Sequence, residues 1–95
     1  LMITSGGMNS IAECIEKEVP MLVCPLSLKS DQLGNSARVV YHGLGLRARI
    51  KLDSSRTIEK RIVQLFENYA TFKRNLSMMR TKILAESTAI NTEVI

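Results

Sequence analysis

The residues best suited to chemistry form the sequence Ser5-Gly6-Gly7, which follows the apolar residues 1–4 and precedes Asn9 and Ser10. Glycine tolerates positive φ and lets a bound group approach the backbone closely, and asparagine and serine are favoured helix caps. The N–H groups in the first turn of a helix have no intrahelical partner and lie at the positive end of its dipole. The pattern therefore predicts a strand, a glycine turn and a helix whose first turn can hold an anion, in particular a phosphate group.

The helix after this turn should pack one apolar face and end before Pro20, because proline disfavours helical geometry in the residue before it. Residues 21–24 form a continuous apolar run closed by Pro25, which predicts a second, parallel strand. Ligands of parallel sheets bind beyond the carboxyl ends of the strands. The glycine turn and the loop after Pro25 should therefore face one crevice. The predicted inner face of the helix consists of Met8, Ile11, Ala12, Ile15 and Val19.

A second helix and a third strand are predicted beyond that loop. The helix follows Asp31 and Gln32 and ends at Gly43. Residues 44–50 alternate imperfectly between apolar and polar side chains, which indicates a short edge strand or an extended segment. The predicted inner face of the second helix consists of Leu33, Ala37, Val40 and Tyr41.

Two C-terminal helices complete the predicted domain. Asp53 and Ser54 offer a cap for the first of them, and the second begins near Ala70. We expect residues 1–86 to form the domain and residues 87–95 to be either a frayed or disordered tail or a segment that docks elsewhere. The fold class is α/β: a partial Rossmann-like βαβ unit with a parallel sheet, flanking helices and two C-terminal helices. The two apolar stripes are Ile58, Ile62, Leu65, Phe66 and Tyr69, and then Phe72, Leu76, Met79 and Ile83.

Length and composition bound the class of protein. A chain of 95 residues forms one domain at most, and 45% hydrophobic with 23% charged residues is typical of a globular protein. No apolar run approaches the ~20 residues of a membrane span, and no signal sequence is present, so the expected compartment is the cytosol. Because the chain begins inside a predicted strand, we expect it to be part of a longer protein.

The remaining charged and sulfur-containing residues indicate no further site. The net charge of +4 arises without interleaved aromatic residues or a known binding motif, and this favours a solvated helix face over nucleic-acid binding. Cys14 and Cys24 are too few for a disulfide framework or a zinc site. His42 precedes Gly43 at a helix end and is interpreted as a surface or capping residue. The sequence contains no acidic cluster suited to a metal.

Several short motifs follow one another within the first 35 residues. In order and approximate spacing they resemble the donor-binding half of the UDP-glycosyltransferases of the GT-B fold, which include plant secondary-product, macrolide and drug-conjugating enzymes. The resemblance covers nearly the whole chain. The matching motifs are Gly6-Gly7-Met8-Asn9-Ser10, Glu13, Val19-Pro20, Pro25, Asp31-Gln32 and Asn35.

The resemblance implies a role for individual residues. Glu13 would accept hydrogen bonds from the ribose hydroxyls, and Asp31 and Gln32 would bind hydroxyls of the donor sugar. Without the resemblance, Glu13 would be interpreted as a solvated helix residue and Asp31 as a helix cap. The implied donor is a UDP-sugar, and neither a cofactor, a metal nor a catalytic residue is expected within the chain. The implied contacts to the donor diphosphate are Ser5, Gly6, Gly7, Asn9 and Ser10.

Three positions depart from the family pattern. Ser5 occupies the place of a histidine in most relatives, and serine cannot carry a positive charge. Asp31 follows Pro25 after a longer loop than in the relatives, which affects the register of Asp31 and Gln32. Glu18 replaces the glycine usual before Val-Pro, and a left-handed backbone there would cost roughly 1 kcal/mol.

The resemblance also implies an activity and a partner. GT-B enzymes place the acceptor, and commonly a catalytic histidine, on an N-terminal domain, and transfer occurs in the cleft between the domains. The chain would thus be the C-terminal, donor-binding part of an enzyme that transfers a hexosyl group from a UDP-sugar to an acceptor, and it would be inactive alone. Its partner would be the N-terminal acceptor-binding domain of the same parent chain. Catalysis would be direct displacement, helped by stabilising charge on the departing diphosphate.

Two alternative functions stay open. The chain could belong to an enzyme like the lipid-linked, cell-wall N-acetylglucosaminyltransferases, peripheral to the inner face of a membrane. Ser5 and the basic charge favour this alternative, because a Ser-Gly pair occurs at that place in those enzymes. The other alternative is a degenerate, non-catalytic domain that serves protein association, for which Ser5, Glu18 and the longer loop argue. An open sheet edge is also expected to allow self-association.

Overall fold

The chain folds around a parallel sheet whose strands are connected by helices, as the computed structural model shows. The structure describes residues 1–26, 31–49 and 51–94, with side chains to residue 86. Within these residues the strands are β1 (Met2–Thr4), β2 (Met21–Val23) and β3 (Gly45–Arg47), in the order β1-β2-β3. The helices are α1 (Met8–Glu16), α2 (Asp31–Tyr41), α3 (Ser55–Glu67) and α4 (Tyr69–Val94). The predicted α/β fold with a parallel βαβ unit is confirmed.

Strand β2 forms the centre of the sheet and is completely buried. It pairs in parallel with β1 and β3, so that Leu22 lies beside Ile3 on one side and Leu46 on the other. Side chains alternate between the faces of a strand, and both faces of β2 are covered, which explains its continuous apolar sequence. One face belongs to a core of Ile11, Cys14, Met21, Val23, Val39, Leu44 and Leu76, and the other to a core of Leu22, Cys24, Ala48 and Leu65.

Helix α1 begins two or three residues earlier than a cap at Asn9 or Ser10 would place it. Its N-cap is Gly7, with extended backbone angles, and the predicted caps Asn9 and Ser10 lie inside the first turn. The predicted inner face is also partly wrong, because Met8 remains 59% exposed and Cys14 is buried. Helix α1 packs against α4 and β1, and its buried residues are Ile11 and Cys14.

Helix α1 ends in a left-handed turn at Glu18, a conformation that the sequence left open. Glu18 has a φ of 55°, and the Val19 N–H donates to the Cys14 carbonyl over 2.8 Å. The Glu18 carboxylate lies 3.8 Å from the guanidinium of Arg80 on α4. A left-handed glutamate costs about 1–2 kcal/mol, and a partly exposed ion pair offsets at most ~1 kcal/mol of this. The pair therefore accounts for part of the tolerance of glutamate at this turn.

The predicted inner face of α2 is wrong. Tyr41 is 84% and Val40 43% exposed, whereas Asn35 and Ser36 are buried beside Val39. The buried polar groups are hydrogen-bonded, since the Ser36 hydroxyl donates to the Leu33 carbonyl over 2.7 Å, and Asn35 bonds to the glycine turn as described below. The end of the helix is as predicted, because Gly43 has a φ of 67°.

The two C-terminal helices follow most of the predicted pattern. Ser54 caps α3 and accepts a hydrogen bond from the Thr57 N–H over 3.2 Å. Leu65 and Leu76 are buried as expected, but Phe66 is 60% and Ile83 45% exposed. Helix α4 continues to Val94, and the division of the chain into residues 1–86 and a tail stays a prediction. Within the described part of the chain, none of the helices combines the length and apolar character needed to cross a membrane.

Candidate functional site

The glycine turn after β1 has a backbone that only glycine can supply. Gly6 is buried and has a φ of 96°, and its N–H donates to the Thr4 hydroxyl over 3.3 Å. A Cβ atom at Gly6 would lie 3.0 Å from Val23 Cγ1 and 3.2 Å from the Gln32 carbonyl oxygen. The turn is thus packed between β2 and the first turn of α2. Ser5, half-buried, connects it to the end of β1.

The N-terminal end of α1 is accessible from the glycine turn that precedes it. Among the described residues no side chain caps this helix, and its first turn carries no acidic residue. A Cβ atom at Gly7 would meet nothing of the described chain within 4 Å, and Asn9 and Ser10 are exposed. Backbone N–H groups at such a terminus attract an anion through their direction and the helix dipole. The geometry suits the predicted diphosphate contacts, which stay a prediction.

Helix α2 brings the second predicted group of residues to the same edge of the sheet. The Asn35 amide donates to the Gly6 carbonyl over 3.0 Å, and the Gln32 side-chain carbonyl accepts from the Leu26 N–H over 3.0 Å. Asp31 is the exposed first residue of the helix. The loops after β1 and β2 are therefore held by one helix turn, as expected from strands whose carboxyl ends share an edge. The longer loop falls on residues 27–30, outside the described residues.

Glu13 lies in the second turn of α1 and is exposed, but it is paired within its own helix. Its carboxylate accepts a hydrogen bond from the Lys17 ammonium over 2.8 Å. This hydrogen bond and the positive charge of Lys17 lower the pKa of Glu13, and the same contact raises the pKa of Lys17. The carboxylate is therefore ionised at neutral pH, and a ribose hydroxyl would compete with Lys17 for it.

The other chemically versatile side chains lie elsewhere. Cys14 and Cys24 are free and buried, and burial raises the pKa of both thiols, which makes them poor nucleophiles. His42 is exposed, edge-on to Tyr41 at 5.1 Å between ring centroids, and it follows the far end of α2, roughly 15 Å along the helix from Asp31. Within the described residues no three potential ligands gather to hold a metal ion.

One polar residue of the site was not assigned a role from the sequence. Asn35 belongs to the matching motifs, but its hydrogen bond to Gly6 spans 29 residues of chain. The sequence contains a signal for this role, because Asn35 lies four residues after Asp31 and residues at that spacing share a helix face. A polar side chain on the same face as Asp31 can reach the same crevice, so Asn35 could have been predicted as a site residue.

The chain is similar to known glycosyltransferases. Residues 1–86 match the family described as UDP-glucoronosyl and UDP-glucosyl transferase. The zeaxanthin glucosyltransferase of Pantoea ananas is 33% identical over 96 residues, which cover the whole chain and 21% of that protein. Human UDP-glucuronosyltransferase 3A1 is 35% identical over 68 residues, which cover 72% of the chain and 13% of that protein.

Two further comparisons bear on the fold and on the alternative function. The solved structure of the glycotransferase of kitacinnamycin superposes with a TM-score of 0.77 at 31% identity, covering 87% of this chain and 21% of that one. A UDP-N-acetylglucosamine–N-acetylmuramyl-(pentapeptide) pyrophosphoryl-undecaprenol N-acetylglucosamine transferase of Clostridium botulinum is 32% identical over 80 residues, covering 81% of this chain and 23% of that protein. The chain thus spans less than a quarter of the length of each of these four proteins.

Proposed function

The chain belongs to the UDP-glucoronosyl and UDP-glucosyl transferase family, and on that basis we propose that it binds the nucleotide-sugar donor in a larger glycosyltransferase. We call this larger protein the parent enzyme, which transfers a hexosyl group from a UDP-sugar to an acceptor. The observation that carries the proposal is the uncapped first turn of α1 behind a glycine with open space around it. The chain alone is inactive, because the acceptor and a general base come from the rest of the parent enzyme.

The donor diphosphate binds at the glycine turn and the start of α1. The N–H groups of Met8, Asn9 and Ser10 have no partner inside the helix, and the helix dipole favours the negative charge. As the bond between the sugar and the diphosphate breaks, negative charge grows on the departing diphosphate. Backbone N–H groups that already point toward that charge stabilise the transition state without having to reorganise. This is the contribution of the chain to catalysis.

The ribose and sugar contacts come from α1 and α2. Glu13 lies one helical turn beyond Ser10, and its ionised carboxylate accepts hydrogen bonds from the ribose hydroxyls in exchange for Lys17. Asp31, exposed at the start of α2, accepts from hydroxyls of the sugar, and Gln32 lies beside it. Ser5 supplies one hydroxyl near the diphosphate but no positive charge. Donor binding is therefore weaker than with histidine at this position.

The proposed protein partners are a second domain of the parent enzyme and a second copy of the chain, and an exposed edge of the sheet supports them. Strand β1 lies at one edge of the described sheet, and Ile3 on it is 58% exposed. The acceptor-binding domain of the parent enzyme is the first partner, and a second copy of the chain pairing with this edge is another. The parent enzyme acts in the cytoplasm, or at the inner face of a membrane when its acceptor is lipid-linked.

A second candidate function is transfer of N-acetylglucosamine to a lipid-linked acceptor. It is supported by the similarity to the Clostridium botulinum transferase and by Ser5, which precedes Gly6 as in the resemblance described above. Calorimetric titration of the parent enzyme with UDP-glucose and with UDP-N-acetylglucosamine distinguishes the two functions. Tighter binding of UDP-glucose supports the first candidate, and tighter binding of UDP-N-acetylglucosamine supports the second.

The donor site is tested by Gly7→Val in the parent enzyme. Because a side chain at Gly7 meets open space and the residue has a φ of −66°, valine is compatible with the fold but occupies the space in front of the N–H groups. We expect the Kd for UDP to rise at least about tenfold, which corresponds to about 1.4 kcal/mol. Calorimetry with UDP measures this, and inorganic phosphate shows how much of the binding depends on the nucleoside.

The matched control is Ala70→Val, which adds apolar volume at an exposed position near the start of α4 and should leave the Kd unchanged. If Gly7→Val binds UDP as tightly as the wild type, the diphosphate does not lie at this turn. If the folded wild-type parent enzyme binds no UDP, the proposed function is wrong and a degenerate domain for protein association is favoured.

A further inference from the structure

Two asparagine side chains make the same kind of contact at opposite ends of α2. Asn35 donates from its amide to the Gly6 carbonyl over 3.0 Å, and Asn75 donates to the Gly43 carbonyl over 2.9 Å. Both glycines have positive φ. The first contact lies in the proposed diphosphate turn, whereas the second lies beyond the C-terminal end of α2. The second contact is therefore a natural control for the first.

The contact at Gly6 has a geometric consequence for the next residue. The peptide unit between Gly6 and Gly7 is planar, and in a trans peptide the C=O and N–H bonds point in opposite directions. All described peptide bonds are trans. Asn35 attracts the Gly6 carbonyl toward α2, so the Gly7 N–H must point away from α2. The amide of Asn35 therefore sets the direction of a backbone donor in the turn.

The environment makes this contact a firm one. Asn35 is only 7% exposed, and the hydrogen bond is buried. A buried amide or carbonyl without a partner is costly, so both groups favour the paired arrangement. The turn is also held by packing, because Gly6 lies close to the Gln32 backbone on α2 and to Val23 on β2. Rotation of this peptide therefore requires breaking a buried hydrogen bond inside a packed turn.

We propose that Asn35 is a positioning residue of the donor site, which holds the Gly6–Gly7 peptide so that the Gly7 N–H faces the diphosphate of the nucleotide sugar. This inference rests on the proposed function. Asn35 lies four residues after Asp31 on the same helix, and the same rigid element therefore carries the sugar contact and orients the diphosphate contact. The two halves of the donor are held in a fixed relation by α2.

The test is Asn35→Asp in the parent enzyme, with Asn75→Asp as the matched control. Aspartate has nearly the shape of asparagine, but its carboxylate cannot donate a hydrogen bond, whereas the protonated acid can. A buried carboxyl titrates at a higher pH than an exposed one. We therefore expect the Kd of Asn35→Asp for UDP, relative to the wild type at the same pH, to be raised about tenfold near pH 8 and to recover toward about pH 5.

The control separates positioning from general stability. Asn75→Asp also places a carboxylate against a glycine carbonyl, and it should lower the thermal midpoint but leave the Kd for UDP at the wild-type value at every pH. The inference is overturned if Asn35→Asp binds UDP like the wild type, or if both variants weaken binding alike. It is also overturned if the loss in Asn35→Asp does not recover at low pH.

A second variant covers the case in which Asn35→Asp does not fold. Asn35→Ala removes the amide without introducing a charge, and it should raise the Kd for UDP by a similar factor that does not depend on pH relative to the wild type. Wild-type affinity in a folded Asn35→Ala variant would refute the positioning role. Absence of UDP binding in the wild-type parent enzyme is a different result, because it refutes the proposed function and the inference with it.

Discussion

Replacing Gly6 by alanine should destabilise the chain far more than the same replacement at Gly7, although the two glycines are adjacent. Gly6 has a φ of 96° and is buried, whereas Gly7 has a φ of −66° and borders open space. The first glycine is therefore required by the fold. The fold tolerates other residues at position 7. The proposed diphosphate needs the space in front of the turn, and this explains why position 7 is a glycine.

The magnitude follows from two costs at Gly6. A non-glycine residue at positive φ costs about 1–2 kcal/mol, and a Cβ atom 3.0 Å from Val23 Cγ1 and 3.2 Å from the Gln32 carbonyl adds an overpacking cost of about 1–3 kcal/mol. Alanine at the N-cap Gly7 costs up to about 1 kcal/mol, because alanine is the poorer cap. We expect the free energy of unfolding to fall by about 2–5 kcal/mol for Gly6→Ala and by at most about 1 kcal/mol for Gly7→Ala.

Urea unfolding of the chain, followed by circular dichroism and extrapolated linearly to water, measures this difference. If the unfolding free energy depends equally steeply on urea concentration in the wild type, Gly6→Ala and Gly7→Ala, the variants change stability and not the surface exposed on unfolding. If the two variants lay within about 0.5 kcal/mol of each other, the turn would relax around a Cβ atom at Gly6. The reasoning that ties the Gly6 backbone to α2, and with it the positioning role of Asn35, would then lose its basis.

Two further predictions concern the C-terminal half of α1 and the turn that follows it. Glu18→Gly should leave the free energy of unfolding unchanged or raise it by up to about 1 kcal/mol in urea unfolding, because relief of the φ of 55° exceeds the loss of the pair with Arg80; a clear loss of stability would contradict this. Lys17→Met should raise the pKa of Glu13 toward its ordinary value in an NMR titration, because Lys17 is what lowers it. A folded-state pKa below the unfolded one means that the pair contributes stability above the ordinary pKa of Glu13 and loses it as the pH falls through the lowered value. An unchanged Glu13 pKa in Lys17→Met would refute the pairing.

The elements that the sequence predicted well depend on neighbouring residues. The apolar run at residues 21–24, closed on both sides by proline, allowed a buried parallel strand to be predicted. Ser54 was recognised as a cap because a serine before an apolar stripe bonds to the N–H three residues later. In each case the determining interaction spans a few residues.

The elements that were predicted wrongly depend on distant partners. Apolar side chains occur on more than one side of α2, and the spacing alone favoured Val40 and Tyr41 as its inner face. The structure buries Asn35, Ser36 and Val39 instead, because the glycine turn supplies a carbonyl that satisfies Asn35. The buried face of α2 therefore depends on distant partners: the helix packs against β3, Val39 joins the core, and the Asn35 amide bonds to a residue 29 positions away.

The sequence by itself determined the strand, glycine turn and helix at the start of the chain, and its motifs carried the resemblance to the family that the comparisons show. Local pattern and turn chemistry carry that information, because backbone conformation at glycine and proline depends on the residue itself. Only the tertiary structure decided which peptide of the turn α2 holds, that Glu13 is paired with Lys17, and which face of each helix is buried. These depend on which surfaces meet when the chain packs, and packing is a property of pairs of elements and not of any one of them.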